Sequence, residues 1–177
     1  MSGLLGKTWI RAALVAAVVL GAIAAYLTQP WRLFIDRSVD EAAPAAQTVP
    51  ASSGTSAVPK TAETLATGSF VSHEHDTKGE VKIVRLPDGK RVLRIEDLDT
   101  SDGPDVRIWL SDQPVKEGRA GWTVFDDGKY VELGRLKGNK GDQNYTIPAN
   151  ADLAKLTSVS LWCKRFHVSF GAAALRA

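Results

Sequence analysis

Residues 159–174 read VSLWCKRFHVSFGAAA and contain the only cysteine of the chain, Cys163. Apolar residues recur at every second position on both sides of Lys164 and Arg165, but the parity changes between the two sides. Because side chains alternate between the faces of a strand, one regular strand could not bury both apolar sets. The pattern predicts β-structure with a bulge near Lys164 and Arg165, and an inward-facing Cys163 beside that kink.

The region before this stretch has the same texture of short alternating runs separated by turn residues. Residues 80–86 and 90–96 flank a Pro-Asp-Gly turn, which predicts a hairpin. Residues 121–125 are interpreted as another strand, and residues 137–144, KGNKGDQN, as a polar loop. The number and spacing of these runs predict an all-β, β-sandwich-like domain of about eight to nine short antiparallel strands.

The N-terminal part of the chain is apolar and uncharged over residues 12–27. A helix from Trp9 to Trp31 would span about 33 Å, close to the hydrocarbon thickness of a bilayer. Lys7 and Arg11 precede the apolar run. The positive-inside rule therefore predicts a single-pass membrane protein with a cytoplasmic N-terminus and an extracytoplasmic C-terminal domain.

A cleavable signal peptide is the alternative, since Ala22-Ile23-Ala24 fits a small-residue cleavage site and the product would then be secreted. The predicted domains are a cytoplasmic tip with a transmembrane anchor (1–37), a flexible linker (38–67) and a β domain (68–177). The linker is predicted because 21 of its 30 residues are Ala, Pro, Ser, Thr or Gly.

Composition excludes several classes of protein. The chain has 22 basic and 20 acidic residues, which are interspersed, so nucleic acid is not an expected partner. One cysteine excludes an intrachain disulfide and a Cys-rich zinc site. No Ser-His-Asp order, paired-carboxylate signature or dinucleotide motif stands out, which argues against a conventional enzyme and leaves a redox module open.

The order of motifs after residue 67 resembles the DM13 domain family, in a membrane-anchored, single-domain form of bacterial type. The resemblance rests on a series of matching pieces along the chain. They are Gly68-Ser69-Phe70, His75 to Gly79, Val92 to Glu96, Gly103-Pro104-Asp105, Leu133 to Asn139, Gln143-Asn144-Tyr145, Ile147-Pro148, and Ser158 to Cys163 with Phe166, Val168, Phe170 and Ala173. The resemblance implies a β-sandwich-like fold and a proposed role in electron transfer, with Cys163 as the proposed redox residue.

Cys163 has two interpretations from the residues themselves. It is either a small buried hydrophobe beside aromatic neighbours or a reactive thiol, which would need access and a lowered pKa. Lys164 and Arg165 could supply positive charge if the bulge turned one of them toward the sulfur. A single thiol cycling two electrons would need a sulfenic acid, a partner thiol or a metal.

Two other groups of residues suggest metal binding. His73 and His75 share a face of an extended chain and could ligate copper or zinc, with Cys163 as a third ligand, or could lie in a solvated loop. The acidic stretch 96–105, EDLDTSDGPD, lacks the pattern of a calcium loop and is interpreted as turn chemistry. The sequence identifies no cofactor, and copper, zinc and haem all stay open.

These observations support two hypotheses about function. The first is a membrane-tethered module for electron transfer or redox relay centred on Cys163, with a redox partner protein. The second is a non-catalytic surface module that binds a partner protein or a component of the cell envelope. Both place the β domain outside the cytoplasm, and the N-terminal helix makes the membrane a partner in either case.

Overall fold

The computed structural model describes residues 3–44 and 62–177. These residues form the helix α1 (Gly3–Thr28), two short 3₁₀ helices (Pro30–Phe34 and Gly118–Gly121) and nine strands. The strands are β1 (Ser38–Asp40), β2 (Glu63–Ser72), β3 (Lys78–Arg85), β4 (Arg91–Asp99), β5 (Val106–Ser111), β6 (Tyr130–Arg135), β7 (Lys140–Ile147), β8 (Ser158–Cys163) and β9 (Val168–Ala174).

The nine strands form one curled sheet in the order β1-β7-β4-β3-β2-β9-β8-β5-β6. All neighbours are antiparallel except β1 and β7, which run parallel. The long strand β2 pairs with β3 through residues 63–69 and with β9 through residues 70–72. It therefore joins the two halves of the sheet, and the all-β class predicted from sequence is confirmed.

The main core lies between the two halves of the curled sheet. Residues spaced two apart point into it, as expected for strands with one buried face. They include Val81 and Ile83 in β3, Leu93 and Ile95 in β4, Ile108 and Leu110 in β5, and Val159, Leu161 and Cys163 in β8. Full burial of a side chain such as Val, Leu or Ile contributes about 1.5–3 kcal/mol, so this core holds the sheet closed.

A second, smaller core covers the other face of β5 and β8. Trp109 and Trp162 alternate with the main-core residues, and Phe125 packs edge-on against Trp162 at 6.4 Å between ring centroids. The predicted strand at residues 121–125 is wrong, because this segment consists of the end of a 3₁₀ helix and turns. Val124 and Phe125 are buried in the smaller core, and the segment contacts β9 through the hydrogen bond from the Ser169 N–H to the Trp122 carbonyl at 2.7 Å without forming a strand ladder. Apolar content alone therefore misled the prediction.

The parity change in the opening stretch comes from a turn. Residues 164–167 connect β8 to β9, and the backbone N–H of Phe166 donates to the Cys163 carbonyl at 3.2 Å. The bulge predicted near Lys164 and Arg165 is therefore wrong. A bulge occurs instead in β9, where Gly171 pairs with Leu161 and Ser169 pairs with Trp162, so that Phe170 is the extra residue.

The polar stretch 137–144 is not a loop, since most of it belongs to β7, which pairs with both β4 and β1. Gln143 is fully buried there. Its Nε2 donates to the Gly138 carbonyl at 2.7 Å, and its Oε1 accepts from the Tyr145 hydroxyl at 2.7 Å. The polar residues are tolerated inside the sheet because their hydrogen bonds are made within the protein.

In the part of the chain that the structure describes, one helix is long and apolar enough to cross a membrane, Thr8–Thr28. The segment predicted as a linker differs from a continuous coil at both ends. Ser38–Asp40 forms strand β1 against β7, and β2 begins at Glu63. Between these ends, residues 45–61 lie outside the described residues.

Candidate functional site

Cys163 ends strand β8 and points into the main core. It lies opposite Val106 of β5 and Val168 of β9, and its side chain has no exposed surface. The expectation of an inward-facing cysteine is confirmed. The thiol lies directly before the exposed turn 164–167, so it occupies the boundary between the core and the end of the domain.

Two opposing influences act on the thiol. Burial raises the pKa of Cys163, because desolvation disfavours the charged thiolate. The backbone N–H groups of Phe166, Arg165 and Asp105 act in the opposite direction by stabilising negative charge on the sulfur. Burial is the larger effect, so the group is a protonated thiol at neutral pH and a weak nucleophile in the folded state.

The cations that the sequence offered as activators are engaged elsewhere. Lys164 Nζ lies 3.4 Å from a carboxylate oxygen of Glu132. Arg165 Nη1 donates to the Leu27 carbonyl at the end of α1, at 2.8 Å. Both side chains project from the turn, so the groups that stabilise negative charge on the sulfur are backbone amides, while the Asp105 carboxylate adds to the rise in the pKa of the thiol.

On the opposite face of β8, a row of stacked aromatic rings leads from the domain interior to the surface. The Trp162 and Trp109 rings stack with centroids 5.1 Å apart, and Trp109 stacks on Tyr130 at 3.7 Å. Tyr130 is partly exposed, whereas both tryptophans are buried. This row was not predicted from the sequence, although the alternation in β5 and β8 already placed both tryptophans on the face opposite the main core.

His73 is buried in the smaller core and makes hydrogen bonds at both ring nitrogens. Its Nδ1 lies 2.9 Å from the Ser169 hydroxyl, and its Nε2 lies 3.0 Å from the Lys116 carbonyl. The ring stacks on Phe125 at 5.9 Å. Burial lowers the pKa of His73, which keeps the imidazole neutral.

His75 has different neighbours from His73. Its ring packs on Phe170 with centroids 3.9 Å apart, and its Nε2 pairs with the Glu74 carboxylate at 2.5 Å. Burial lowers the pKa of His75, while the Glu74 and Asp76 carboxylates act in the opposite direction. The two imidazoles therefore serve separate local contacts.

The structure does not bring His73, His75 and Cys163 together. Within residues 3–44 and 62–177, no three His, Cys, Asp or Glu side chains form a group that could hold a metal ion. A metal at His73 would also displace a hydrogen bond at one of its two nitrogens. The His₂Cys set stays a prediction from the sequence.

The end of the domain that holds Cys163 also binds the segment that follows α1. The buried Asp102 carboxylate accepts from Arg32 Nη1 at 3.2 Å and from Arg37 Nη2 at 2.9 Å. The Asn139 side chain donates to Asp36 at 3.0 Å and accepts from the Arg37 backbone N–H at 2.7 Å. These contacts fix residues close to α1 directly onto the domain.

The role of Asp102 was not expected from the sequence. The stretch 96–105 was interpreted as turn chemistry, and Asp102 does accept from the next backbone N–H, that of Gly103, at 2.9 Å. Its two arginine partners, however, lie about 70 positions away along the chain. An aspartate among turn residues is recognised as buried only when the distant cations that pair with it are known.

Comparison with known proteins gives one match. A family model described as "DM13: Electron transfer DM13" matches residues 69–175, which comprise nearly all of the β domain and include Cys163. No curated protein and no solved structure matches the chain.

Proposed function

The chain belongs to the DM13 family, and from this membership we propose that it is a membrane-tethered module for electron transfer in which Cys163 is the redox residue. The family match carries the proposal. It extends from β2 to β9 and contains the whole core around Cys163.

The tether in this proposal is α1. Its apolar part, Thr8–Thr28, has the length of a membrane span, and its side chains are not buried against the domain. Lys7 and Arg11 precede the uncharged run 12–27 within this helix, and by the positive-inside rule they would leave the β domain on the extracytoplasmic side. Cleavage of this segment as a signal peptide is the alternative, and it would give a secreted domain.

The redox step in this proposal is a two-electron oxidation of the Cys163 thiol. A peroxide would supply the oxygen: the thiol and hydrogen peroxide give a sulfenic acid and water. A partner protein with two thiols would return it to the thiol, since sulfenic acid and two thiols give the Cys163 thiol, one disulfide in the partner and water. The backbone N–H groups around the sulfur offset only part of the effect of burial, so the thiolate that reacts first forms when the sulfur is exposed to solvent.

Because Cys163 is buried, this chemistry requires transient opening of the turn 164–167. Each residue of that turn is exposed, and the turn carries one residue with positive φ, His167 at 52°. Backbone held in a sparsely populated conformation is less costly to rearrange than an unstrained strand. Opening there would expose the sulfur without unpairing β8 from β5.

Peroxide titration of the purified full chain tests the proposal. We expect the mass of the chain to rise by one oxygen at Cys163. The oxidised cysteine should be trapped by a sulfenic-acid reagent such as dimedone, and a dithiol should reduce it back to the thiol. Cys163→Ala should lose all of these, whereas Val159→Ala, which truncates another buried side chain of β8, should retain them. A wild-type thiol that reacts only after denaturation would contradict the redox role.

A second candidate is favoured by the burial of Cys163. The absence of exposed surface and the raised pKa of the thiol are also typical of a cysteine that only packs in the core. In that case the chain is a non-catalytic surface module that binds a partner protein or an envelope component. Retention of every cellular phenotype by Cys163→Ala would select this second function.

A further inference from the structure

Large exposed apolar side chains outside α1 are few in the described part of the chain. They are Trp31, Ile35, Tyr130 and Phe166. Trp31 and Ile35 belong to the segment directly after α1, and Phe166 belongs to the turn between β8 and β9. Three of the four therefore come from two segments, the one after α1 and the β8–β9 turn.

These two segments are joined at the end of α1. Arg165 Nη1 donates to the Leu27 carbonyl at 2.8 Å, so the β8–β9 turn reaches the last turn of the helix. The Arg32 contact with Asp102 holds the segment after α1 against the neighbouring loop. Phe166 follows Arg165 in the chain and is about half exposed.

We propose that Trp31, Ile35, Lys164, Arg165 and Phe166 form a membrane-contacting surface, whose partner is the headgroup layer of the bilayer that α1 spans. This inference rests on the tether of the proposed function. It adds that the domain lies against the bilayer with the Cys163 end toward the lipid.

The dimensions of a bilayer support this placement. The apolar part of α1 has 21 residues, about 32 Å at 1.5 Å per residue, so Leu27 lies at the edge of a hydrocarbon core of about 30 Å. The headgroup layer beyond that edge is about 5–8 Å thick on each side. A turn that donates a hydrogen bond to Leu27 therefore lies within or beside this layer.

The residue types of the surface match the chemistry of that layer. Trp31 has the amphipathic ring that is typical of aromatic belts at the level of the headgroups. Phe166 is an apolar side chain of the kind that interfacial segments bury at the boundary between headgroups and acyl chains. Lys164 and Arg165 are cations that lipid phosphates attract. Acidic groups close to this surface have cationic partners outside it: Glu132 pairs with Arg107 as well as with Lys164, Asp36 pairs with Lys140, and Asp105 pairs with Arg107 and Arg135.

This orientation has a consequence for the redox proposal. Cys163 directly precedes the turn that carries Lys164, Arg165 and Phe166. A partner that reached the sulfur by opening this turn would approach from the membrane side. The surface therefore favours a partner that is itself embedded in the bilayer or bound to its surface.

Fluorescence quenching in vesicles tests the surface. In the full chain with Cys163→Ala, an environment-sensitive bimane label is placed at Phe166→Cys or, as the matched control, at Lys90→Cys. Lys90 is exposed in the β3–β4 turn. The loop that contains Asp102 and contacts the segment after α1 follows the other end of β4, at Asp99. Vesicles of phosphatidylcholine and phosphatidylglycerol carry nitroxide-labelled headgroups, and we expect at least twofold stronger quenching at position 166 than at position 90. Equal quenching would overturn the proposal.

The test distinguishes failure of the surface from failure of the tether. Flotation of the labelled chain with the vesicles reports the tether. A chain that floats but shows equal quenching at both positions contradicts the surface alone, and a chain that does not float contradicts both proposals.

A second measurement avoids substitutions altogether. Hydroxyl-radical footprinting of the wild-type chain in vesicles compares Phe166 with Tyr130, which is exposed to a similar fraction, 49% against 44%, in the absence of lipid. Each is normalised to its own rate in the denatured chain. We expect lipid to protect Phe166 at least twofold more than Tyr130, and equal protection would overturn the proposal.

Discussion

Arg37 Nη2 donates to Oδ1 of Asp102 at 2.9 Å, across 65 positions of the chain. This contact joins the segment after α1 to the connection between β4 and β5. The Asp102 side chain is 3% exposed, whereas that of Arg37 is 45% exposed. The aspartate is therefore the fixed member of the pair, and the arginine brings the N-terminal segment to it.

We expect Asp102→Ala to lower the free energy of unfolding of the domain by about 1.5–3 kcal/mol, the usual range for a hydrogen bond to a charged group. The loss stays moderate because both arginines are partly exposed and regain water when their partner is removed. Urea titration of the full chain in detergent micelles, followed by tryptophan fluorescence, measures it.

The control is Asp152→Ala. Asp152 forms an ion pair with Lys155 on the surface, and its side chain is about half exposed. We expect this substitution to leave the urea midpoint unchanged. If Asp102→Ala behaved in the same way, the buried contact would have no measurable role in stability.

A second prediction concerns the polar centre of β7. We expect Gln143→Ala to cost about 2–4 kcal/mol, because it leaves buried groups without partners and opens a cavity. The groups are the carbonyl and the backbone N–H of Gly138, which pair with Gln143, whereas the Tyr145 hydroxyl keeps its contact with the Lys137 backbone N–H. Gln113→Ala, which removes a side-chain contact with Asp112 at the surface, should change the same urea midpoint far less. Equal effects would contradict the structural role of Gln143.

The alternation of apolar residues was sufficient to predict much of the fold. It placed the all-β class, the β3–β4 hairpin and the inward direction of Cys163, because each depends on which face of a strand is buried. The apolar run in the N-terminal part likewise predicted a helix of membrane-spanning length. These features are local, so the sequence itself contains their cause.

Other features depend on partners that are distant in the sequence. Strand β7 was mistaken for a loop because Gln143 is buried through hydrogen bonds, which leave no apolar pattern. Asp102 was assigned to a turn because its arginines come from the other end of the chain. The row of stacked aromatic rings from Trp162 to Tyr130 required the pairing of β5 with β6 and β8, which alternation does not give.

A third prediction follows from the burial of Cys163. Because burial raises the pKa of the thiol, we expect alkylation in the folded chain to be slow at pH 7, with a midpoint above the value of about 8.5 for a free thiol. Iodoacetamide labelling followed by mass spectrometry across pH measures it. A midpoint below that value would mean that the backbone N–H groups outweigh burial and would favour a reactive thiolate.

The same shift predicts a dependence of stability on pH. The unfolded thiol ionises first as the pH rises, so the stability linked to Cys163 is fully present below the unfolded pKa and is lost as the pH approaches the folded pKa. Between pH 8 and pH 10, the wild-type chain should therefore lose more unfolding free energy than Cys163→Ala. Parallel curves for the two chains would contradict the raised pKa.

The last prediction concerns His73, whose pKa is lowered by burial. In its neutral form, Nε2–H donates to the Lys116 carbonyl and Nδ1 accepts from the Ser169 hydroxyl. As the pH falls below about 6.5, the unfolded chain binds a proton at this residue more readily than the folded chain does. Stability linked to His73 is therefore present above the unfolded pKa and is lost as the pH falls.

We expect His73→Gln to reduce the loss of unfolding free energy between pH 7 and pH 5, since an amide makes similar hydrogen bonds but does not titrate. Burial also lowers the pKa of His75, which contributes in the same direction in both chains and cancels in the comparison. His167→Gln is the control, because that side chain is exposed and contacts only Asp126 among charged groups. Urea titrations at each pH measure the slopes. A wild-type slope in His73→Gln would mean that water reaches this imidazole and that its burial does not control its protonation.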